Sequence, residues 1–315
     1  MSQSVRGKTA IVTGSGSGIN LAFATMLLEK GCNVVFADIS LRPEAKQVLA
    51  AYSQAKTTSG RAVFQETDVR EWKQLERMFD TAEREFGDVD IVCPGAGVYE
   101  PTFSNFWYPP GSTKSKDPAD GNSYAIFDIN LVHPVRTSQI AISKFLNSTK
   151  PGPKTIIIIS STSAQDTSFA TPLYDASKHA ISGFVRAIKD VDELGIRVAA
   201  VAPGIIKTPL YIENPEKLAM ISDSKDTWVE PEEVAEVMVN LIERDTMSHE
   251  IGNFLPEHQD ITVSSGLILE VIKGRVRPVT AFNDPGPSGP GALASNMAAS
   301  ENACKALLKK GWGSC

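Results

Sequence analysis

Tyr174 and Lys178 stand four residues apart in Tyr174-Asp175-Ala176-Ser177-Lys178. On a helix that spacing puts both side chains on one face. A phenol with an ordinary pKa of about 10 is a poor base near neutrality, and a neighbouring ammonium stabilises its anion. The pair therefore suits proton transfer at an alcohol or carbonyl oxygen. The spacing alone is common in proteins, so its surroundings decide. Ser161 lies thirteen residues upstream, just past the apolar run Thr155–Ser160 (TIIIIS). Its hydroxyl could polarise a carbonyl or hold an alcohol oxygen. Asn130, within FDINLVHPVR, could anchor a water that relays the proton.

A second group of residues suits a dinucleotide. Thr13-Gly14-Ser15-Gly16-Ser17-Gly18-Ile19 lies between the apolar strand Thr9–Val12 and the helical stretch Ile19–Glu29. Glycines there let the backbone turn and approach a pyrophosphate, and the helix N-terminus offers unpaired N–H groups. Asp38 ends the next apolar strand, Asn33–Ala37. An acid at that point accepts hydrogen bonds from ribose hydroxyls and repels a 2′-phosphate. This favours NAD over NADP, with nearby Arg42 the residue that could reverse the preference. Asp68-Val69 follows Ala62–Glu66 and reads equally as an adenine contact or as a cap for the helix near Trp72. Gly95-Ala96-Gly97 follows Asp90–Cys93, where small residues let a cofactor pack on backbone. Pro203-Gly204, Ile206 and Thr208 follow Arg197–Val201 and could cover a nicotinamide carboxamide.

The elements that must position these groups alternate in type. Six short apolar strands are separated by helical stretches, among them Trp72–Phe86, Phe127–Leu146, Tyr174–Leu194 and Pro231–Arg244. Strands apolar on both faces belong in a parallel sheet. The β-α-β-α order predicts an α/β fold, a doubly wound parallel sheet of the Rossmann type with helices on both faces, in a single domain. The chain of 315 residues is 42% apolar and 22% charged with a net charge of −6. That charge argues against nucleic acid as a partner. No run of about 18 apolar residues suggests a membrane span, and no targeting segment is evident, so the expected location is cytoplasmic. The four cysteines and four histidines show no metal-ligand spacing, so no metal is expected.

In order and spacing these motifs resemble the short-chain dehydrogenase/reductase family, in its compact single-domain branch. TGSGSGI is similar to the family's TGxxxGxG, ISS to its serine strand, YDASK to its YxASK and PGIIKT to its PGxxxT, over roughly Gly7 to Phe254. The resemblance implies a Ser161–Tyr174–Lys178 triad with Asn130 as fourth member, a small-molecule substrate, and a homo-oligomer, dimer or tetramer. Three positions depart from the pattern. Asn20 replaces the last fingerprint glycine. Pro94-Gly95-Ala96-Gly97 replaces NNAG, which loses asparagine contacts that brace the sheet. The usual last strand is absent, with EIGNFLPEHQD in its place. Within the family, YDASKHAISGFVRA and EVAEVMVNLIERD are similar to 15-hydroxyprostaglandin dehydrogenase and its relatives, and the long aromatic insertion suggests fungal members acting on polycyclic or terpenoid secondary alcohols.

Residues 98–123 form that insertion. Phe103, Phe106, Trp107 and Tyr108 either wall a bulky substrate or pin the loop to the body. Pro209–Thr227, with Tyr211, Ile212, Leu218 and Met220, offers a second wall. Residues 1–282 read as the catalytic domain, and 283–315 as a Pro/Gly-rich linker and tail with a short amphipathic helix near Ser295–Lys310. The functional expectation is NAD-dependent interconversion of a bulky hydrophobic secondary alcohol and a ketone, with Tyr174 as general acid/base. The alternatives are an NADPH-dependent ketone reductase of a biosynthetic pathway, a non-redox cyclase or isomerase, and a cofactor-binding protein.

Overall fold

A computed structural model describes residues 4–54, 60–150, 152–222, 224–252, 260–281, 289, 291–292, 299–300 and 302–303. The predicted tail helix at Ser295–Lys310 falls almost entirely outside the described residues.

The expected alternation is present. The chain runs β1 (Thr9–Thr13), α1 (Gly18–Glu29), β2 (Asn33–Asp38), α2 (Pro43–Ala51), β3 (Ala62–Glu66), α3 (Trp72–Phe86) and β4 (Ile91–Cys93). After the insertion come α4 (Ala125–Phe127), a π-helical turn (Asp128–Val132), α5 (His133–Leu146), β5 (Lys154–Ile159), α6 (Pro172–Ala187) and β6 (Ile196–Pro203). Two short helices follow, α7 (Pro209–Ile212) and α8 (Pro215–Leu218), then α9 (Pro231–Glu243). The small antiparallel pair β7 (Thr246–Met247) and β8 (Ile261–Thr262) precedes β9 (Ile268–Ile272) and β10 (Arg275–Pro278).

The main sheet has the order β10-β9-β6-β5-β4-β1-β2-β3. Every pairing in it is parallel except β10 on β9. Alternate side chains of each strand feed opposite core layers, as the period-2 geometry of a strand requires. Val12 and Ile157 pack with Phe23, Leu27 and Met238 of α1 and α9. Ile11, Ile156 and Ile158 pack with Phe79, Ile140 and Ile181 of α3, α5 and α6. Both faces are covered, which is why the strands read as unbroken apolar runs. The order reverses between β1 and β4, and that switch point is where such sheets leave a crevice at their C-terminal edge.

Three details differ from the sequence reading. The last strand is present: β9 pairs in parallel with β6, from Ala200↔Ile268 to Pro203↔Val271. Glu270 disguised it in the sequence. Its side chain is buried, and its two oxygens accept from the Arg277 guanidinium of β10 at 3.0 and 2.7 Å. The predicted helix Tyr174–Leu194 ends at Ala187 and continues as a 3-10 turn, Lys189–Leu194. The predicted helix Phe127–Leu146 contains the π-turn around Asn130.

Candidate active site

The Gly-rich turn leaves β1 at the switch point. Gly14 has φ +72°, and a Cβ there would come within 2.7 Å of the Ala96 Cα, so only glycine lets the two loops meet. Ser17 is the N-cap of α1 but does not cap it with its side chain. The amides of the first turn are thereby left for a phosphate. Asp38 Oδ2 accepts from Gly16 N at 2.7 Å, which fixes the carboxylate beside the turn. A cavity of ≈ 930 Å³ opens here and runs to Tyr174 and Lys178. Gly14, Ser17, Gly18, Ile19, Asp38, Asp68, Val69, Gly95, Ala96, Gly97, Pro203, Gly204, Ile206 and Thr208 all line it. Ser15 and Gly16 do not: both are buried behind the turn, with no hydrogen-bond partner for the Ser15 hydroxyl among the described residues. The cavity's size and its glycine-floored, acid-tipped end fit a nicotinamide dinucleotide. Among the described residues no group of three His, Cys, Asp or Glu is placed to hold a metal ion.

Of the two readings of Asp68, the structure goes against the cap: the residue lines the cavity instead. Its carboxylate is clamped by Arg70, with Nη2 at 2.6 Å, and does not cap α3, whose N-cap is Glu71. The Arg70 guanidinium holds the Asp68 carboxyl below its usual range.

At the other end, β5 delivers Ser161 and α6 delivers Tyr174 and Lys178. The Ser161 hydroxyl accepts from Ser163 N at 3.2 Å and stands beside the Tyr174 phenol, whose pKa it lowers. Lys178 Nζ lies 5.6 Å from the Tyr174 ring centre and donates to the Ile159 carbonyl at 2.9 Å. Burial dominates both charges. It pushes the Tyr174 phenol up to about 12, against the neighbouring Ser161 hydroxyl that pulls it down, and pushes Lys178 down to about 8. The phenol therefore stands above its ordinary value, not below it as expected, in the protein alone. Asn130 differs too. Its side chain does not line the cavity. Its Oδ1 accepts from Val98 N at 2.9 Å and its Nδ2 donates to Val98 O at 2.8 Å.

The aromatic insertion divides between its two readings. Phe103 lines the cavity. Trp107 pins the loop: it is buried, stacks on Phe169 at 4.4 Å and donates from Nε1 to the Phe169 carbonyl at 2.9 Å. Phe106 packs on Trp107, and Tyr108 lies under Lys114. In the second wall only Tyr211 of the four named residues faces the cavity, joined by Leu210. Met220 is buried, while Ile212 and Leu218 are exposed.

Sequence reasoning missed four contributors. Tyr99 packs edge-on against the Tyr174 ring, centres 4.6 Å apart. His133 Nε2 lies 3.1 Å from Thr13 Oγ1, and its Nδ1 lies 3.0 Å from the Ile129 carbonyl. That carbonyl only accepts, so Nδ1 carries the proton and Nε2 accepts from Thr13. The histidine, held down at about 4 by burial, ties the Gly-rich turn to the π-turn. Asn20 donates to the Gly95 carbonyl at 2.9 Å, and a Cβ on Gly95 would lie 2.2 Å from its Oδ1. The bracing thought lost with NNAG is supplied from the helix side instead. Ala292, from the segment read as tail, also lines the cavity. Of these, only Asn20 carried a signal, as a departure from the glycine pattern.

The sequence model described as short chain dehydrogenase matches residues 8–219. The 1-deoxy-11-beta-hydroxypentalenate dehydrogenase of Streptomyces avermitilis is 32% identical over 205 residues, covering 64% of this chain and 70% of that protein. The 15-hydroxyprostaglandin dehydrogenase (NAD(+)) of Rattus norvegicus is 29% identical over 278 residues, covering 84% and 94%. A solved short chain dehydrogenase from Burkholderia cenocepacia J2315, in complex with NADP, shares the fold with a TM-score of 0.64 at 22% identity, covering 86% of this chain and 99% of that one. With the match spanning well over half its length, the chain belongs to the short-chain dehydrogenase family and is an oxidoreductase acting on CH–OH groups with a nicotinamide dinucleotide.

Proposed function

We propose that this enzyme oxidises a bulky, apolar secondary alcohol to its ketone with NAD, Tyr174 serving as general acid/base. One observation carries the reading: Ser161 and Tyr174, with Lys178 beside them, open onto the same cavity as the Gly-rich turn and Asp38. Ser161 holds the reacting oxygen, and Tyr174 removes its proton in oxidation and returns it in reduction. Lys178 supplies positive charge next to the developing phenolate. When bound, the nicotinamide supplies the acceptor for the hydride that leaves the carbinol carbon. Asn130 acts through Val98, whose backbone it clasps beside the cofactor floor. Val98, Tyr99, Phe103, Ile129, Leu210 and Tyr211 give the substrate end its apolar character.

The preference for NAD rests on charge. Asp38 stands where a 2′-phosphate would meet its carboxylate. Arg42, the cation that could offset it, is engaged at both Nη atoms by the Glu213 carboxylate. The relative named for NAD(+) supports the same preference. Residues 1–282 form the body of the catalytic domain in this reading, with Ala292 from the segment 283–315 adding to its cavity, and the enzyme works as a homo-oligomer, which light scattering of the purified chain would reveal.

The test pairs binding with turnover. NADH and NADPH are titrated by fluorescence against wild type and Asp38→Ala, and NADH production is followed with a panel of hydrophobic secondary alcohols in wild type and Tyr174→Phe. The expected result is tighter NADH than NADPH binding in wild type, levelled in Asp38→Ala. Turnover should be lost in Tyr174→Phe with NADH binding intact. Equal or tighter NADPH binding would make a ketone reductase the better reading. Turnover surviving in Tyr174→Phe would remove the phenol from the chemistry.

A further inference from the structure

Glu100 is a buried acid in the insertion, and it alone among the described non-glycine residues has a positive φ, +30°. A residue is held in that region only where its surroundings over-determine it. Those surroundings are the insertion itself and the catalytic helix. Glu100 Oε2 accepts from Tyr174 N at 2.6 Å, and its Oε1 accepts from Phe106 N at 3.1 Å. Helix α6 starts with Thr171 as N-cap and Pro172 at its first position, and Thr171 makes no side-chain cap. The first amides of a helix have no partner within it. Here the cap comes from a residue more than seventy positions upstream.

The neighbours of Glu100 act on the same target. Val98 is clasped at both N and O by Asn130. Tyr99 lays its ring edge-on against the Tyr174 ring. Residues 98–100 therefore bridge Asn130 to Tyr174, touching the tyrosine at its ring and at its backbone N. From this geometry we infer that Glu100 is a positioning residue, through which the insertion sets where the Tyr174 phenol stands relative to Ser161 and Lys178.

The inference rests on Tyr174 being the general acid/base, and its test includes readouts that need no turnover. Glu100→Ala and the near-isosteric Glu100→Gln are compared with wild type, each saturated with NAD. The Tyr174 phenol is titrated by ultraviolet difference absorbance against Tyr174→Phe. Its midpoint should fall from the high buried value toward the ordinary value of about 10 in Glu100→Ala, and fall less in Glu100→Gln, which keeps one acceptor. With an alcohol that turns over, kcat should drop roughly ten- to hundredfold in Glu100→Ala with the alcohol KM and NADH affinity nearly unchanged. A midpoint and kcat like those of wild type, with only a lower Tm, would reduce Glu100 to a stabilising cap and overturn the inference. Amide exchange on the wild type guards against variants that fail to fold. The Tyr174 N–H should be among the slowest amides, and fast exchange there also overturns the idea. A chain inactive on every alcohol would sink the assignment of Tyr174, while the titration would still judge the positioning.

Discussion

Two carboxyls at the start of the catalytic helix carry unusual electrostatics. Burial pushes Glu100 up to about 7 and Asp175 up to about 6, against the backbone amides that each accepts. Both groups titrate higher in the folded chain than in the unfolded one. Their contribution to stability is therefore fully present below the ordinary carboxylate range and is lost as pH rises through 6 to 7. For Glu100 the loss is on the order of 3 kcal/mol if nothing relieves the desolvation. Asp88 behaves oppositely: hydrogen bonds from Ser148, Thr149 and Lys150 hold it at about 2, so its effect falls below pH 4 and outside this window. Urea melts of wild type and of Glu100→Gln/Asp175→Asn between pH 5 and 8 isolate the two groups. Wild type should lose stability relative to the double variant as pH rises. Parallel curves would show that neither carboxyl is desolvated as the geometry indicates.

At the scale of elements, α1 meets the loop after β4 through a side chain fitted into a missing one. Asn20 occupies the space that a Cβ on Gly95 would need, and Cys93 Sγ lies 3.8 Å from its Oδ1. Gly95→Ala should therefore cost about 1–3 kcal/mol, as overpacking of a filled site does. In an Asn20→Gly background the same change should cost much less, because the obstructing amide is gone. Equal costs in both backgrounds would mean that the loop moves freely away from the helix. This pair also marks what could be read from sequence. The strands, the Gly-rich turn and the Tyr174–Lys178 spacing were legible because periodicity and local spacing carry them. Asn20 was visible only as a departure, since its value depends on a partner 75 residues away. Strand β9 was hidden for the same kind of reason, its central Glu270 being acceptable only beside Arg277.

For the molecule as a whole, the site draws on residues from Gly14 to Ala292. The Gly-rich turn, Asp38, Ser161 and Tyr174 follow from motifs, but the return of the chain's end to the cavity does not. Gly291 O accepts from Ile205 N at 2.8 Å, and Ala292 O accepts from Thr162 Oγ1 at 2.9 Å. Nothing local in a Pro/Gly-rich stretch announces such contacts. They fall on the loops after β5 and β6, next to Ser161 and Gly204, at the end of the cavity away from Asp38. A chain ended after residue 282 leaves Ile205 N and Thr162 Oγ1 without these partners, at about 1 kcal/mol each. The loss should be local to that end. NADH, which reaches both ends, should bind roughly three- to tenfold more weakly to the shortened chain. ADP-ribose, which lacks the nicotinamide, should bind as it does to the full chain. Thr162→Val, which removes only the hydroxyl contact to Ala292, should show a smaller loss of the same kind. If ADP-ribose weakens as much as NADH, the segment supports the whole cavity rather than one end of it. If neither weakens, Ala292 rests against the site without shaping it, and the catalytic domain is complete at residue 282.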